Sequence, residues 1–196
     1  MRILILFSAL FLFAGISLNA QSDTLIDTRD GKSYVTVQIG QQIWMAENLK
    51  FKTEKYSYIF ANKAENGEKY GRLYRWEAAS EACPAGWHLP TDKEWQILEK
   101  ELGMTETELV KENDWRGKDQ ATKLMSDTSI NFNMLLGGYR NPPSNYYLMG
   151  MQSFFWTATD NGAHGWYRQM RDGSGQIFRR TRPKSWGMSI RCVKDE

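Results

Sequence analysis

Histidine and cysteine are scarce in this chain, which has two of each among 196 residues. The two histidines, His88 and His164, lie far apart, and the pattern of a zinc site is missing. No G-x-S-x-G turn is present to expose a nucleophilic serine. Composition alone leaves a Ser/His/Asp or Cys/His site open. We nevertheless interpret both histidines as structural or solvated, and we predict no catalytic residue, no metal site and no enzyme activity.

Long hydrophobic runs are also scarce, since the only one is the segment 3–13. It is shorter than the roughly 20 apolar residues that span a bilayer. Arg2 precedes it, and the small residue Ala20 follows, which together predict a signal peptide over residues 1–20. The alternative is an uncleaved anchor. After cleavage no membrane span is expected, so we predict a secreted, cell-surface or periplasmic protein.

Excess charge of either sign is absent, because 25 basic residues face 23 acidic ones. Without Arg2 the formal charge falls from +2 to +1, and no overall field favours nucleic acid as a partner. The remaining 176 residues (196 − 20) suit one domain. Aromatic residues, by contrast, make up 13% of the chain and include eight tryptophans, so some of these rings are candidates for surface platforms.

The stretch 76–95 organises the predicted fold. A helix should end at Pro84, since proline lacks an N–H, and a short strand should follow the turn at Gly86. Thr91 and Glu94 form a capping box that starts a second helix. That helix carries an apolar stripe made of Trp95, Leu98 and Leu102.

Hairpins and short helices account for most of the remaining chain. Residues 21–33 are interpreted as a short leader, and residues 34–39 and 42–45 as a β-hairpin. Residues 50–69 are predicted to be an exposed loop with a short strand. Short helices are expected at 105–111 and 119–125, and strands at 134–138, 154–158, 165–170, 176–180 and 187–193. Helices followed by antiparallel strands indicate the α+β class.

Several motifs carry a family resemblance. Residues 76–95 read WEAASEACPAGWHLPTDKEW, and this pattern resembles the Fibrobacter succinogenes major paralogous domain, a secreted bacterial module grouped with the C-type lectin-like fold. Further matching segments, in the family's order, are VQIGQQIWMAEN (37–48), GRLYRW (71–76), LGGYRN (136–141), FWTAT (155–159) and SIRCVKD (189–195). The resemblance covers roughly residues 34–195, so we assign 34–196 to this domain.

The resemblance implies a particular architecture. C-type lectin-like domains have two main helices packed on small antiparallel sheets, with a long irregular loop region. Their first helix is joined to their last strand by a disulfide, which here implies a Cys83–Cys192 bond. Two buried thiols, or a reactive thiol at Cys192, remain alternatives. The calcium ligands of sugar-binding lectins are missing, because Asn141-Pro142-Pro143 has no acidic partner. We therefore expect no cofactor, calcium included.

A second resemblance is to the formylglycine-generating sulfatase-modifying enzymes, which share the lectin-like fold. Those enzymes depend on two neighbouring cysteines close to the C-terminus. This chain has Cys192 alone there. The resemblance therefore implies at most a degenerate relative of these enzymes.

A binding surface is the remaining functional hypothesis. We predict a non-catalytic binding or adhesion module that recognises a polysaccharide or a surface protein through the long loop region 133–160. The tail 168–191 is locally basic and is interleaved with Trp166, Tyr167, Phe178 and Trp186, which could bind an anionic polysaccharide, but an ordinary solvated sheet edge is the favoured interpretation of it. The alternatives are a structural surface protein without a small ligand, rings that only cover the core, and an ordinary solvated sheet edge. The candidate ligand-binding residues are Tyr139, Arg140, Asn141, Tyr146, Tyr147, Trp156, Trp166 and Arg168.

Overall fold

The computed structural model describes residues 22–196, and the predicted signal peptide lies outside them. In this part the chain is a mixed α/β fold made mostly of strands, with a few short helices. The strands are β1 (Ser22–Ile26), β2 (Ser33–Ile39), β3 (Gln42–Met45), β4 (Ser57–Tyr58), β5 (Leu73–Tyr74), β6 (Trp87–His88), β7 (Asp114–Arg116), β8 (Gly137–Asn141), β9 (Asn145–Met149), β10 (Gln152–Asn161), β11 (His164–Arg171), β12 (Ile177–Pro183) and β13 (Val193–Lys194). The helices are α1 (Ala64–Tyr70), α2 (Trp76–Ala79), α3 (Asp92–Glu101), α4 (Glu106–Leu109) and α5 (Gln120–Ser126).

A five-stranded antiparallel sheet joins the two ends of the described chain. Its strand order is β1-β2-β3-β13-β6. The predicted hairpin of β2 and β3 is confirmed, with Val37 opposite Trp44. Residues 22–26, which we had assigned to a leader, pair with β2 as a strand of this sheet. The short β13 then inserts the end of the chain between β3 and β6.

A six-stranded sheet contains most of the second half of the chain, in the order β7-β12-β11-β10-β8-β9. Its long strands β10, β11 and β12 are antiparallel neighbours. The prediction of a long irregular loop over 133–160 was wrong, because this region contains β8, β9 and β10. Pro142 and Pro143 lie in the tight turn between β8 and β9, where missing N–H groups cost no ladder bonds. They turn the chain back and do not extend it as a loop.

The helix α3 packs against the six-stranded sheet with the predicted apolar stripe inward. Its capping box of Thr91 and Glu94 is confirmed, and Trp95, Leu98 and Leu102 are buried. The other predicted main helix, α2, has only four residues. After Ala79 the chain continues in tight turns with hydrogen bonds to the third preceding residue, so the described part does not contain two main helices.

A disulfide bond between Cys83 and Cys192 confirms the pairing implied by the resemblance. Their Cα atoms are 5.9 Å apart, and the bond closes a loop across 109 positions. Cys192 is fully buried next to Tyr74 and Met188 in a hydrophobic cluster. The bond therefore links the segment after α2 to the residue just before β13, an inner strand of the five-stranded sheet.

A line of alternating charges is buried between α3 and the six-stranded sheet. We call Arg179, Asp92, Arg168, Glu99 and Arg116, in that spatial order, the buried ion-pair network. Arg179 Nη2 and Arg168 Nη1 donate to Asp92 at 2.7 and 2.5 Å. Arg168 Nε and Arg116 Nη2 donate to Glu99 Oε1 at 2.6 and 3.0 Å. The network cross-links the helix to β11, β12 and β7 through side chains that are at most 10% exposed.

Burial and pairing oppose each other in this network. Burial alone would raise the pKa of Asp92, but hydrogen bonds and charges from Arg179 and Arg168 outweigh it and lower that pKa. For Arg116 burial prevails, with the repulsion of Arg168 adding to it, and its pKa falls below the ordinary value.

Between residues 22 and 196, no helix has both the length and the hydrophobicity to cross a bilayer.

Candidate functional site

Strand alternation sorts the arginines of the six-stranded sheet into two groups. Directly opposed residues of antiparallel strands share a face, and Arg168 is opposite Arg179 while Tyr167 is opposite Arg180. The first pair points toward α3 and belongs to the buried ion-pair network. The second pair points to the other side, which we call the outer sheet face. Its residues are Trp115, Gln152, Phe154, Trp156, Tyr167, Gln169, Arg171, Phe178, Arg180 and Arg182.

An aromatic ladder lies on the outer sheet face. Trp186 stacks on Tyr139 with ring centroids 4.9 Å apart and planes inclined by 6°, and Tyr139 stacks in turn on Tyr147 at 5.4 Å. The Arg182 guanidinium carbon lies 5.0 Å from the centroid of the Trp186 ring. We call these four residues the ladder. Its last ring, Tyr147, is 42% exposed and therefore accessible to a ligand.

A second aromatic pair lies on the same face, at β7 and β12. The rings of Trp115 and Phe178 are 5.2 Å apart, and the Arg171 guanidinium carbon lies 4.3 Å from the Trp115 ring centroid. Neighbouring strands are spaced by about 4.8 Å, so the row from Trp115 across β12 and β11 to Phe154 on β10 extends about 14 Å. Phe154 and Tyr167 are themselves buried in a hydrophobic cluster, so the accessible part of the outer sheet face consists of the partly exposed side chains around them, with rings toward both ends.

Polar groups lie between the two aromatic clusters. The Tyr167 hydroxyl donates to Gln169 Oε1 at 3.3 Å, and Gln169 Nε2 donates to Gln152 Oε1 at 2.6 Å. The Gln152 side chain is the last member of this series of hydrogen bonds. Its amide nitrogen can therefore donate hydrogen bonds to a ligand. Burial is the main cause that raises the pKa of Tyr167, so its hydroxyl stays protonated and can donate at neutral pH.

The predicted residues do not form one site. Tyr139 and Tyr147 lie on the outer sheet face. Tyr146 points to the opposite side of the hairpin, where its ring packs against Phe60 at 5.1 Å. Arg140 lies on that side too, buried with its guanidinium carbon 3.9 Å from the Tyr58 ring centroid.

The other predicted residues are structural in this fold. Trp156 is fully buried, and its indole N–H donates to the Tyr74 carbonyl at 2.8 Å. Arg168 is fully buried in the ion-pair network, and Trp166 packs against Arg179 at 4.1 Å. Asn141 is half-buried at the turn after β8, with its side-chain oxygen enclosed. Arg168 lies on the side of α3 and Trp156 on the outer sheet face opposite Tyr167, but both are fully buried, so neither can contact a ligand at the surface.

Other members of this surface were not among the predicted ligand-binding residues. Gln152 and Gln169 were not predicted at all, and Arg182 and Trp186 were included only as part of the basic, aromatic tail. A signal was available, because Phe178, Arg180 and Arg182 alternate with Arg179 and Thr181 along one strand. The position of Trp186 could not be inferred in this way, since it follows the strand in an irregular segment.

His88 joins the C-terminal segment to α3. Its Nδ1 lies 2.6 Å from Asp195 Oδ1, and its Nε2 lies 2.6 Å from Glu94 Oε1. Partial burial would lower the pKa of His88, but hydrogen bonds to the two carboxylates outweigh this effect and raise it. Both ring nitrogens are therefore engaged in a structural contact. The other histidine, His164, is half-buried at the start of β11.

This geometry predicts a pH effect. A raised folded-state pKa means that the contribution of His88 to stability is fully present below the ordinary value of 6.5 and is lost as pH rises through the folded-state pKa. We expect Asp195→Asn to lower the pKa of His88, as measured by NMR titration of its ring protons. The exposed Glu81→Gln variant removes the same charge elsewhere and should leave this pKa unchanged. Equal pKa values in wild type and Asp195→Asn would contradict the assignment.

Metal-ligating side chains do not gather in the described residues, where no group of three or more His, Cys, Asp or Glu residues could hold an ion.

Similarity to known proteins is found at the level of the family. A family model described as Fibrobacter succinogenes major domain matches residues 37–194, which is more than half of the chain. Comparisons with curated proteins and with solved structures found no match.

Proposed function

This chain belongs to the Fibrobacter succinogenes major domain family, and on that premise we propose that it is a non-catalytic module that binds carbohydrate through its outer sheet face. The observation that carries this proposal is the ladder of Arg182, Trp186, Tyr139 and Tyr147. Tyr147, which is 42% exposed at the end of the ladder, is the ring whose outer face can pack against the C–H face of a sugar, and the stacked neighbours hold it in place.

The polar groups of this face support carbohydrate as the ligand. Sugars need hydrogen-bond donors and acceptors beside the rings, and the amides of Gln152 and Gln169 lie between the two aromatic clusters. Partly exposed rings lie at the β7–β12 end of this face and at its β9 end, a spacing suited to a chain of several sugar units better than to one. A polysaccharide is therefore the favoured ligand class, and protein surfaces are the alternative that the binding experiment has to exclude.

We also propose that the module has no enzyme activity and acts without a cofactor. Its two cysteines are joined to each other, and the resemblance to sulfatase-modifying enzymes requires a pair of cysteines close to the C-terminus. Both ring nitrogens of His88 are engaged by carboxylates, so its role is structural. The degenerate-enzyme alternative has no specific support among these contacts.

The finer fold and the destination of the chain belong to the same proposal. We infer a C-type lectin-like fold, supported by the disulfide that joins the α2 segment to the region of the last strand. A secreted, cell-surface or periplasmic location is supported by the same bond, because disulfides form and persist in oxidising compartments. Cell fractionation with detection of the mature N-terminus tests the location and the predicted cleavage before Gln21.

A pair of neighbouring tyrosines provides the test of carbohydrate binding. Tyr147→Ala removes the exposed end of the ladder, and we expect affinity for a bound polysaccharide to fall about tenfold, a loss typical of an interface anchor. Tyr146→Ala makes the same change one position away on the opposite side, and we expect it to bind as wild type does. Retardation in native gels that contain a panel of neutral and acidic polysaccharides measures both.

Two outcomes would contradict the proposal. Equal losses in the two tyrosine variants would place the binding surface elsewhere. Retardation by none of the polysaccharides would exclude carbohydrate as the ligand class. Thermal unfolding of each variant checks that the fold is retained before affinities are compared.

A further inference from the structure

The arginines of the outer sheet face differ from those of the inner face in what surrounds them. On the inner side Arg116, Arg168 and Arg179 are paired with carboxylates. On the outer side Arg171, Arg180 and Arg182 have no carboxylate oxygen within 4.0 Å in the described residues 22–196. The same sheet therefore neutralises one set of cations internally and leaves the other set without an internal counter-charge.

One carboxylate in register with this face is already neutralised. Asp160 is opposite Gly165, which is in turn opposite Arg182. It pairs with Lys184 at 2.7 Å, and that hydrogen bond is the first cause of its lowered pKa. Three guanidinium groups on a face otherwise made of rings and amides give a local positive surface, although the whole chain is close to neutral.

Aromatic contacts hold two of these arginines in place. Arg182 lies over Trp186 and Arg171 over Trp115, so one cation stands at each aromatic cluster. A guanidinium group stacked on a ring keeps its N–H edge free for bidentate hydrogen bonds to a carboxylate. Arg180 and Arg182 are two positions apart on one strand, about 7 Å along it, and can contact successive acidic groups of one ligand.

We propose that the outer sheet face selects acidic polysaccharides, with Arg182 and Arg180 binding the carboxylates of sugar units that the ladder holds. This inference rests on the proposed carbohydrate binding and names its ligand class. Export of the module would place it where acidic polysaccharides of cell surfaces are encountered. The stacking rings supply contact area for any sugar, whereas the unpaired guanidinium groups supply the discrimination between charged and neutral chains.

Matched polymers test the inference. The folded chain is titrated with polygalacturonate, with the same polymer after its carboxyl groups are reduced to alcohols, and with polyacrylate, which has the charge without the sugar. At physiological salt we expect polygalacturonate to bind at least tenfold tighter than either of the other two. The advantage over the reduced polymer should shrink as salt rises, since screening weakens contacts between exposed charges.

Arginine variants locate the effect. Arg180→Gln and Arg182→Gln should each weaken binding of polygalacturonate several-fold and leave binding of the reduced polymer unchanged. Lys93→Gln removes the same charge from an exposed position on α3 and should change neither. Thermal unfolding confirms that the variants are folded, and Arg180→Lys, which retains the charge, should recover part of the affinity if Arg180 contacts the acid.

The possible failures are distinguishable. Equal affinity for polygalacturonate and its reduced form would overturn the acidic preference and leave carbohydrate binding standing. Equal affinity for polygalacturonate and polyacrylate would show that charge alone determines binding, and it would overturn the inference as well. Failure to bind either sugar polymer, together with failure across the neutral panel, would overturn the proposed function itself.

Discussion

Reduction of the Cys83–Cys192 disulfide is expected to lower the free energy of unfolding by about 2–5 kcal/mol. The bond closes a loop across 109 positions, and in the chain-entropy model a loop of that size restricts the unfolded chain by roughly 4.7 kcal/mol. Domains of this kind are stable by about 5–15 kcal/mol, so the loss is a large share of the total. Urea unfolding of the same protein with and without a reductant measures it.

The two forms have identical sequences, so this comparison avoids the cavity that a cysteine substitution would leave. Alkylation under denaturing conditions, followed by mass measurement, establishes that both thiols are free in the reduced sample. A double variant, Cys83→Ala with Cys192→Ala, should be at least as unstable as the reduced protein, because Cys192 also fills a buried position. Unchanged urea midpoints after verified reduction would show that the bond does not stabilise the fold.

Removal of one negative charge from the buried ion-pair network should have a comparable effect. Glu99 Oε1 accepts from both Arg168 and Arg116 while its other oxygen has no partner among the described residues. Glu99→Gln leaves the buried Arg116 without a counter-charge and leaves Arg168 with Asp92 alone, and we expect a loss of about 3–5 kcal/mol. Glu112→Gln is the matched control, because it touches the same network at Arg179 from a side chain that is 51% exposed.

The control should cost less than about 1 kcal/mol, since a solvated ion pair contributes little. Similar losses of stability in both variants would show that the burial of Glu99 does not determine its contribution.

The buried ion-pair network also predicts that the fold is sensitive to acid. Because the pKa of Asp92 is lowered, its contribution to stability is present above the ordinary value of 3.8 and is lost as pH falls through the folded-state pKa.

Local signals predicted much of the fold. The capping box at Thr91 and the stripe of Trp95, Leu98 and Leu102 fixed both the start and the orientation of α3. The hairpin of β2 and β3 followed from alternation around a turn. The short elements were harder, because α1 lies in a charged segment without an apolar stripe, and β13 has only two residues held by the strands beside it.

The candidate site was predicted only in part, for a reason that the network explains. Asp92 and Glu99 lie on the apolar side of α3 together with Trp95, and charges in such a stripe indicate buried partners. That signal would have assigned Arg168 to the interior. The pairing of inner and outer arginines depends on strand register, which a sequence does not state directly, and the ladder depends on an irregular segment that brings Trp186 onto Tyr139.

The strand order of the five-stranded sheet has a practical consequence for how this module can be attached to a support or to another protein. The first described strand and the last one belong to the same five-stranded sheet, separated by two strands, whereas the ladder belongs to the other sheet. A tether attached at either end of the described chain therefore leads away from the five-stranded sheet. A module immobilised or fused through either end is therefore attached by the five-stranded sheet, and the ladder takes no part in the attachment.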